Sequence, residues 1–212
     1  MVKILLIRHG QTEWNLNGRY QGQSDVALSQ KGIAQAQALA EYFPVEQLDA
    51  VYSSDLQRAR VTAEIVAQKF HLPVQLEPAF RELSFGDWEG LTYEQIVEGW
   101  SDAMANFLKH PDKMQIPHGE TFADVQKRAF NRFQELVREH EPQDHTLAIF
   151  AHGAVLRTLL TAILHMSLEY VWELRQYNTA VNIVRYDDGW PTVELLNSTE
   201  HLRRNSLKCH CL

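Results

Sequence analysis

Val2-Lys3-Ile4-Leu5-Leu6-Ile7-Arg8-His9-Gly10 (VKILLIRHG) opens the chain with a nearly unbroken apolar run that stops at a polar triplet. A run that short and that apolar is the pattern of a central strand buried on both faces, so Arg8-His9-Gly10 falls at a strand's C-terminal end. Thr146 to Phe150 (TLAIF) repeats the pattern. It stops at Ala151-His152-Gly153, and an apolar helix follows from Ala154 to about Met166.

Between these two strands, apolar spacing alternates between helix and strand periods. Ser29 caps a helix through about Phe43, with Ile33, Ala36, Leu39, Ala40 and Phe43 on one face. A strand from about Asp49 to Tyr52 follows. The S-x-x-Q spacing of Ser54-Asp55-Leu56-Gln57 reads as a capping box that starts a helix to about Phe70, with Arg58 in its first turn. Val74 to Leu76 is a short strand, and the two glycines of Arg81 to Gly90 argue for a folded loop. Helices are predicted from about Tyr93 to Leu108 and, on the spacing of Phe122, Val125, Ala129, Phe133, Leu136 and Val137, from about Thr121 to Glu139. Val181 to Tyr186 and Thr192 to Leu196 form a terminal hairpin around Asp187-Asp188-Gly189. The alternation predicts an α/β three-layer sandwich, a mainly parallel central sheet with helices on both faces. Ligands of such sheets sit beyond the carboxyl ends of the strands, which brings Arg8, His9, Arg58 and His152 together.

The 212 residues are 45% hydrophobic and 22% charged, and no stretch is rich enough in Pro, Gly or Ser to be a linker. One domain over 1–197 is expected, with a polar tail over 198–212. The net charge of −7 repels nucleic acid and anionic membrane surfaces, so any anion must be captured locally. Ile4 to Ile7 is too short for a signal-peptide core, and no apolar stretch approaches the roughly 20 residues of a membrane span, so a cytoplasmic location is expected. Cys209 and Cys211 are the only cysteines, which excludes a disulfide framework. Cys209-His210-Cys211 lacks a second ligand pair and reads as tail, not as a metal site.

Arg-His-Gly places an imidazole at the sheet edge, a guanidinium beside it, and a glycine that admits close backbone approach to a ligand. The longer stretch Leu6-Ile7-Arg8-His9-Gly10-Gln11-Thr12-Glu13-Trp14-Asn15 resembles the defining motif of the histidine phosphatase superfamily, the phosphoglycerate mutase-like proteins. The resemblance continues through Asn17 to Gly22, Leu28 to Gly32, Ser53 to Ala59, Arg81 to Gly90 and Ala151-His152-Gly153, and so covers the chain up to its tail. It implies His9 as the nucleophile that takes the phosphoryl group, with Arg8, Arg58 and His152 holding its oxygens and Glu82 as proton donor and acceptor. It also implies Asn15, Gln21, Gly22 and the Gly153-Ala154 backbone as the substrate pocket, and no metal or other cofactor.

Physical chemistry supports such roles. A phosphoryl group in flight spreads negative charge over three equatorial oxygens, which guanidinium forks and a helix N-terminus stabilise. His9 must be neutral to attack, and Arg8 and Arg58 should hold its pKa below the ordinary value of about 6.5. Glu82 must be protonated to release an alkoxide and must then act as base toward water. Arg81 beside it would oppose that, so its side chain is expected to point elsewhere. Glu89 and Glu94 compete for the acid's place, but the loop motif favours Glu82. Arg19 and Lys31 read as solvated or loop-bracing charges, and His118 as an exposed turn residue.

The loop after Glu82 is compact, and Leu83 to Asn106 contains no Lys or Arg. Both features favour the phosphatase branch, which includes broad-specificity phosphatases and α-ribazole phosphatase. The expected function is metal-independent hydrolysis of a small-molecule phosphomonoester through a phosphohistidine. A cofactor-dependent phosphoglycerate mutase and a non-catalytic phospho-ligand binder are the alternatives. Pocket lining beyond the phosphate is expected from Gln21 to Ser24, Phe85 to Trp88 and about Ala103 to Glu120. A sheet edge or apolar helix face is available for a homodimer, and nothing requires one.

Overall fold

A computed structural model describes residues 1–207, so Cys209, His210 and Cys211 lie outside the described residues. Strand β1 (Val2–Arg8) runs at the centre of a six-stranded sheet, between β4 (Thr146–Ala151) and β5 (Val181–Asp187). Beyond β4 lie β2 (Ala50–Ser53) and then β3 (Val74–Leu76), and beyond β5 lies β6 (Trp190–Ser198). β1, β4, β2 and β3 are mutually parallel, whereas β5 runs antiparallel to β1 and pairs with β6 as the expected hairpin.

Side chains alternate across the sheet, so each strand feeds two cores. Ile4, Leu6, Tyr52, Leu147 and Ile149 face one core, which is covered by α4 (Tyr93–Lys109), α5 (Phe122–His140) and α6 (Gly153–Ile163). Leu5, Ile7, Val51, Ala148 and Phe150 face the other, which is covered by α2 (Gln30–Glu41) and α3 (Gln57–Phe70). The predicted three layers are therefore present.

Local details depart from the sequence reading. Ser29 caps α2 by accepting from Gly32 N, but Ile33 is 38% exposed, and the buried face runs through Gln35, Ala36, Ala38 and Leu39. α4 is broken at Trp100, whose φ of −143° and ψ of 53° interrupt the helix. The capping box at Ser54 does not form, since the N-cap of α3 is Leu56 and no side chain caps it. α6 begins one residue earlier and ends three residues earlier than the apolar run suggests. Within the predicted tail, Glu200–Arg204 form a short helix, α7, whose His201 and Leu202 are buried. Among the described residues no helix is long and apolar enough to cross a membrane.

Register decides where the chemistry collects. Arg8 pairs with Ala151, and Ser53 pairs with Phe150. His9, His152 and Ser54, the residues just past these pairs, therefore emerge side by side at one edge of the sheet. The short helix α1 (Glu13–Leu16) follows at once from the β1 tip.

Candidate active site

His9 and His152 lie ring against ring, with centroids 5.1 Å apart and planes tilted by 56°. His9 Nδ1 is 2.7 Å from the Gly10 carbonyl oxygen. A carbonyl only accepts, so Nδ1 carries the ring proton and Nε2 keeps its lone pair. Burial, then Arg58, then Arg8 hold this imidazole well below its ordinary pKa, which keeps it neutral. His152 Nε2 is 2.9 Å from Ser54 Oγ. Ser54 Oγ also accepts from Leu56 N at 3.3 Å, so one hydroxyl links the start of α3 to this imidazole. Ser54 thus orients a histidine where the sequence pattern suggested a helix cap.

Gly10 has a different purpose from the one its sequence position suggested. A Cβ there would stand 2.5 Å from the Gly32 carbonyl oxygen, so its bare Cα lets the β1 tip pack against α2. Thr62 in α3 then accepts from Gly10 N at 3.0 Å.

Arg58, in the first turn of α3, is fully buried and donates to the carbonyls of Gly22 and Ser24 at 2.7 and 2.8 Å. Burial lowers its pKa to about 10, opposed by the charges of Glu82 and Asp25, so it stays cationic at neutral pH. That loop is braced from beneath by Glu89, which accepts from Gln23 N at 2.8 Å and from Ser24 N at 2.9 Å. Glu89 is therefore engaged away from the cavity, and Glu94 sits exposed at the start of α4. Two buried nitrogens, Arg58 Nε and His152 Nδ1, have no hydrogen-bond partner among the described residues. An orphaned buried polar group costs about 1–3 kcal/mol, and both belong to groups that bear directly on His9, so an anion bound there would relieve the cost at Arg58 Nε.

Glu82 sits at the N-terminus of α6. Its carboxylate accepts from Ala154 N at 3.2 Å, Val155 N at 3.3 Å and Leu83 N at 2.9 Å. The helix has no side-chain cap from its own N-cap residue, His152, so Glu82 supplies one from a distant loop. Arg128 holds the Glu82 carbonyl at 2.9 Å. Arg81 points away as expected, in a two-point pair with Asp55 at 2.7 and 2.5 Å.

All of this borders one cavity of about 670 Å³. Arg8, His9, Asn15, Gln21, Gly22, Arg58, Glu82, Gly153 and Ala154 line it, whereas His152 is fully buried against the His9 ring and is not among the lining residues. Thr12 Oγ1 donates to Gln21 Oε1 at 2.9 Å, and Asn15 Oδ1 accepts from Thr12 N at 3.2 Å. With their oxygens so engaged, both amides offer their NH₂ groups to a ligand.

Of the expected outer lining, Phe85, Phe107 and Leu108 are present. Asp87 instead pairs with His118, which is 86% exposed. Sequence reasoning missed Arg19, Tyr20, Arg157, Trp172 and Arg175. Arg19 braces the Gly90 carbonyl and also reaches the cavity wall. Arg157 had a readable signal, since it falls four residues after Gly153 on the same helical face. Trp172 arrives from a 3₁₀ helix over Leu168–Glu173 and Arg175 from just after it, both outside the elements that the apolar periods marked.

Three buried histidines make the fold acid-sensitive. His9 and His152 are held well below their ordinary pKa, chiefly by burial, and burial alone pushes His201 down to about 4. The unfolded chain then binds more protons than the folded one below pH 6.5, so stability is lost as pH falls. By pH 5 His201 alone costs about 2 kcal/mol, or on the order of 4–8 °C in Tm. Thermal melts at pH 7.5 and pH 5 check this, and equal midpoints would refute it.

A mainly parallel sheet whose strand tips gather two histidines, two arginines and a carboxylate around one cavity defines an α/β enzyme for an anionic substrate. The family model described as Histidine phosphatase superfamily (branch 1) matches residues 4–199, and the chain belongs to that family as a phosphatase. Phosphoserine phosphatase 1 of Hydrogenobacter thermophilus is 31% identical over 210 residues, covering 99% of each chain. Among solved structures, Bacillus stearothermophilus YhfR superposes with a TM-score of 0.90 at 35% identity, covering 95% of this chain and all of the other. A phosphoserine phosphatase mutant from Entamoeba histolytica, in complex with phosphoserine, superposes with a TM-score of 0.86 at 32% identity, covering 95% of this chain and all of that one.

Proposed function

We propose that the chain hydrolyses small phosphomonoesters without a metal, by way of a phosphohistidine on His9. The Nδ1 bond of His9 to the Gly10 carbonyl carries this reading, because it leaves Nε2 as the unprotonated nitrogen beside two buried guanidiniums. Nε2 attacks phosphorus while the ester P–O bond breaks, and Glu82 gives its proton to the departing alkoxide. Arg8 and Arg58 neutralise the equatorial oxygens, and His152, uncharged and buried against the His9 ring, offers them a hydrogen bond from Nδ1. Water then attacks the phosphohistidine, Glu82 takes the water's proton, and inorganic phosphate leaves. Glu82 rests on the amides of Ala154 and Val155, so phosphoryl oxygens and the Glu82 carboxylate compete for one helix terminus. Asn15 and Gln21 supply the remaining donors.

The arginines that line the cavity outside Leu83 to Asn106 favour a second reading, a mutase that holds two anionic groups at once. The two readings separate in one assay. Phosphate release from p-nitrophenyl phosphate and phosphoserine in excess chelator is expected, with slower exchange between 2- and 3-phosphoglycerate. Exchange that outpaces phosphate release would replace the hydrolase by the mutase. Binding without either reaction would leave only a phospho-ligand receptor.

A further inference from the structure

His9 is held through its own backbone by two residues that are not among those lining the cavity. Thr179 N donates to the Arg8 carbonyl at 3.0 Å and to the His9 carbonyl at 3.2 Å, and Asn178 Nδ2 donates to the same His9 carbonyl at 3.1 Å. The other edge of that peptide plane is its N–H, at Gly10, which donates to Thr62 Oγ1 at 3.0 Å. The plane from which the imidazole hangs is therefore pinned on both sides. Asn178 Nδ2 also donates to Asn15 Oδ1 at 3.3 Å, so one side chain joins the backbone of the nucleophile to an amide that lines the cavity.

This grip has a conformational cost. Thr179 stands at a φ of 56°, in the left-handed region that a β-branched residue rarely adopts, and it is fully buried there. Its hydroxyl holds the turn from the far side. Thr179 Oγ1 is 2.7 Å from the Asn178 carbonyl, which only accepts, so the hydroxyl proton lies on that bond and His201 Nε2, 3.0 Å away, donates to the oxygen. A line of hydrogen bonds thus runs from buried His201 in α7 through Thr179 and Asn178 to His9 and Asn15.

We propose that Asn178 is a positioning residue for phosphoryl transfer, setting His9 and Asn15 relative to one another, and that Thr179 and His201 hold it in place. The inference rests on the phosphohistidine reading and adds to it residues that need touch no substrate. In-line attack tolerates little misplacement, since an error of about 1 Å made far from the chemistry can cost on the order of 10² in rate.

The test is the rate of nitrophenol release in the first turnover of saturating p-nitrophenyl phosphate, set beside the inhibition constant of inorganic phosphate, which needs no alignment with a nucleophile. Asn178→Ala, and Asn178→Asp, which keeps the shape and loses the donor, are expected to lower that rate by on the order of 10² while the phosphate constant moves less than about tenfold. In an Asn15→Ala background the loss on removing Asn178 should be smaller, because part of its effect passes through Asn15. Thr179→Gly takes the left-handed φ freely and keeps the N–H, so it tests the line without straining the fold. Its rate is expected to fall about tenfold for want of the hydroxyl bond, and Thr179→Ser should restore most of the loss. Wild-type first-turnover rates in the Asn178 and Thr179 variants overturn the proposal. So do equal losses in rate and in phosphate binding, or losses at Asn15 and Asn178 that simply add. If the wild-type protein releases no nitrophenol, or turns over without a labelled His9, the phosphohistidine reading itself has failed.

Discussion

His9→Ala abolishes the covalent phosphoenzyme and lowers turnover by on the order of 10⁵, the scale seen when a nucleophile that acts as one unit with its neighbours is deleted. The geometry explains why nothing can substitute. His152 is the other imidazole at the sheet edge, but its Nε2 is tied to Ser54 and its ring is fully buried against that of His9. Arg8 and Arg58 cannot attack, since a guanidinium offers donors and no nucleophilic lone pair. What remains in the variant is oxyanion stabilisation, which still binds phosphate and still accelerates attack by water modestly. Rapid-quench labelling with [³²P]phosphoserine reads this directly. Wild-type enzyme should carry an acid-labile, base-stable label, and His9→Ala should carry none. A label that persists in the variant would move the nucleophile elsewhere.

Glu82→Gln is expected to separate substrates by their leaving groups. Gln keeps an acceptor oxygen for the Ala154 and Val155 amides, so the cap of α6 survives while the transferable proton is lost. Alkyl phosphates, whose alkoxides need that proton, should lose about 10² to 10⁴ in kcat/KM, the usual range of general acid catalysis. p-Nitrophenyl phosphate, whose phenolate departs unaided, should lose far less in the phosphorylation step. Its steady-state turnover will be limited by hydrolysis of the phosphohistidine, which needs Glu82 as base, so a burst of nitrophenol ahead of slow phosphate release is the diagnostic sign. Equal losses for both ester types would mean that Glu82 only braces α6.

The alternation of apolar runs was enough to read the layers, because a strand buried on both faces and an amphipathic helix impose different periods on the chain. Misreadings fell where a side chain serves a distant partner. Ser54 has the spacing of a cap, but its hydroxyl is drawn to His152, ninety-eight residues away. Ile33 has helical spacing but lies at the edge of the buried face of α2. The lack of basic residues between Leu83 and Asn106 favoured the phosphatase branch. Arg157 and Arg175 enter from α6 and from the segment after it, where proximity in space has no counterpart in sequence.

By itself the sequence determined that strands ending at His9 and His152 lie in one parallel sheet with Arg58 just past a third, since local hydrophobic period and strand-end chemistry are properties of short stretches. Only the tertiary structure decided which nitrogen of His9 holds its proton, which carboxylate caps α6, and how many guanidiniums share the cavity. Those depend on register between strands and on single hydrogen bonds across long loops, and pairwise geometry of that kind is written in no contiguous segment.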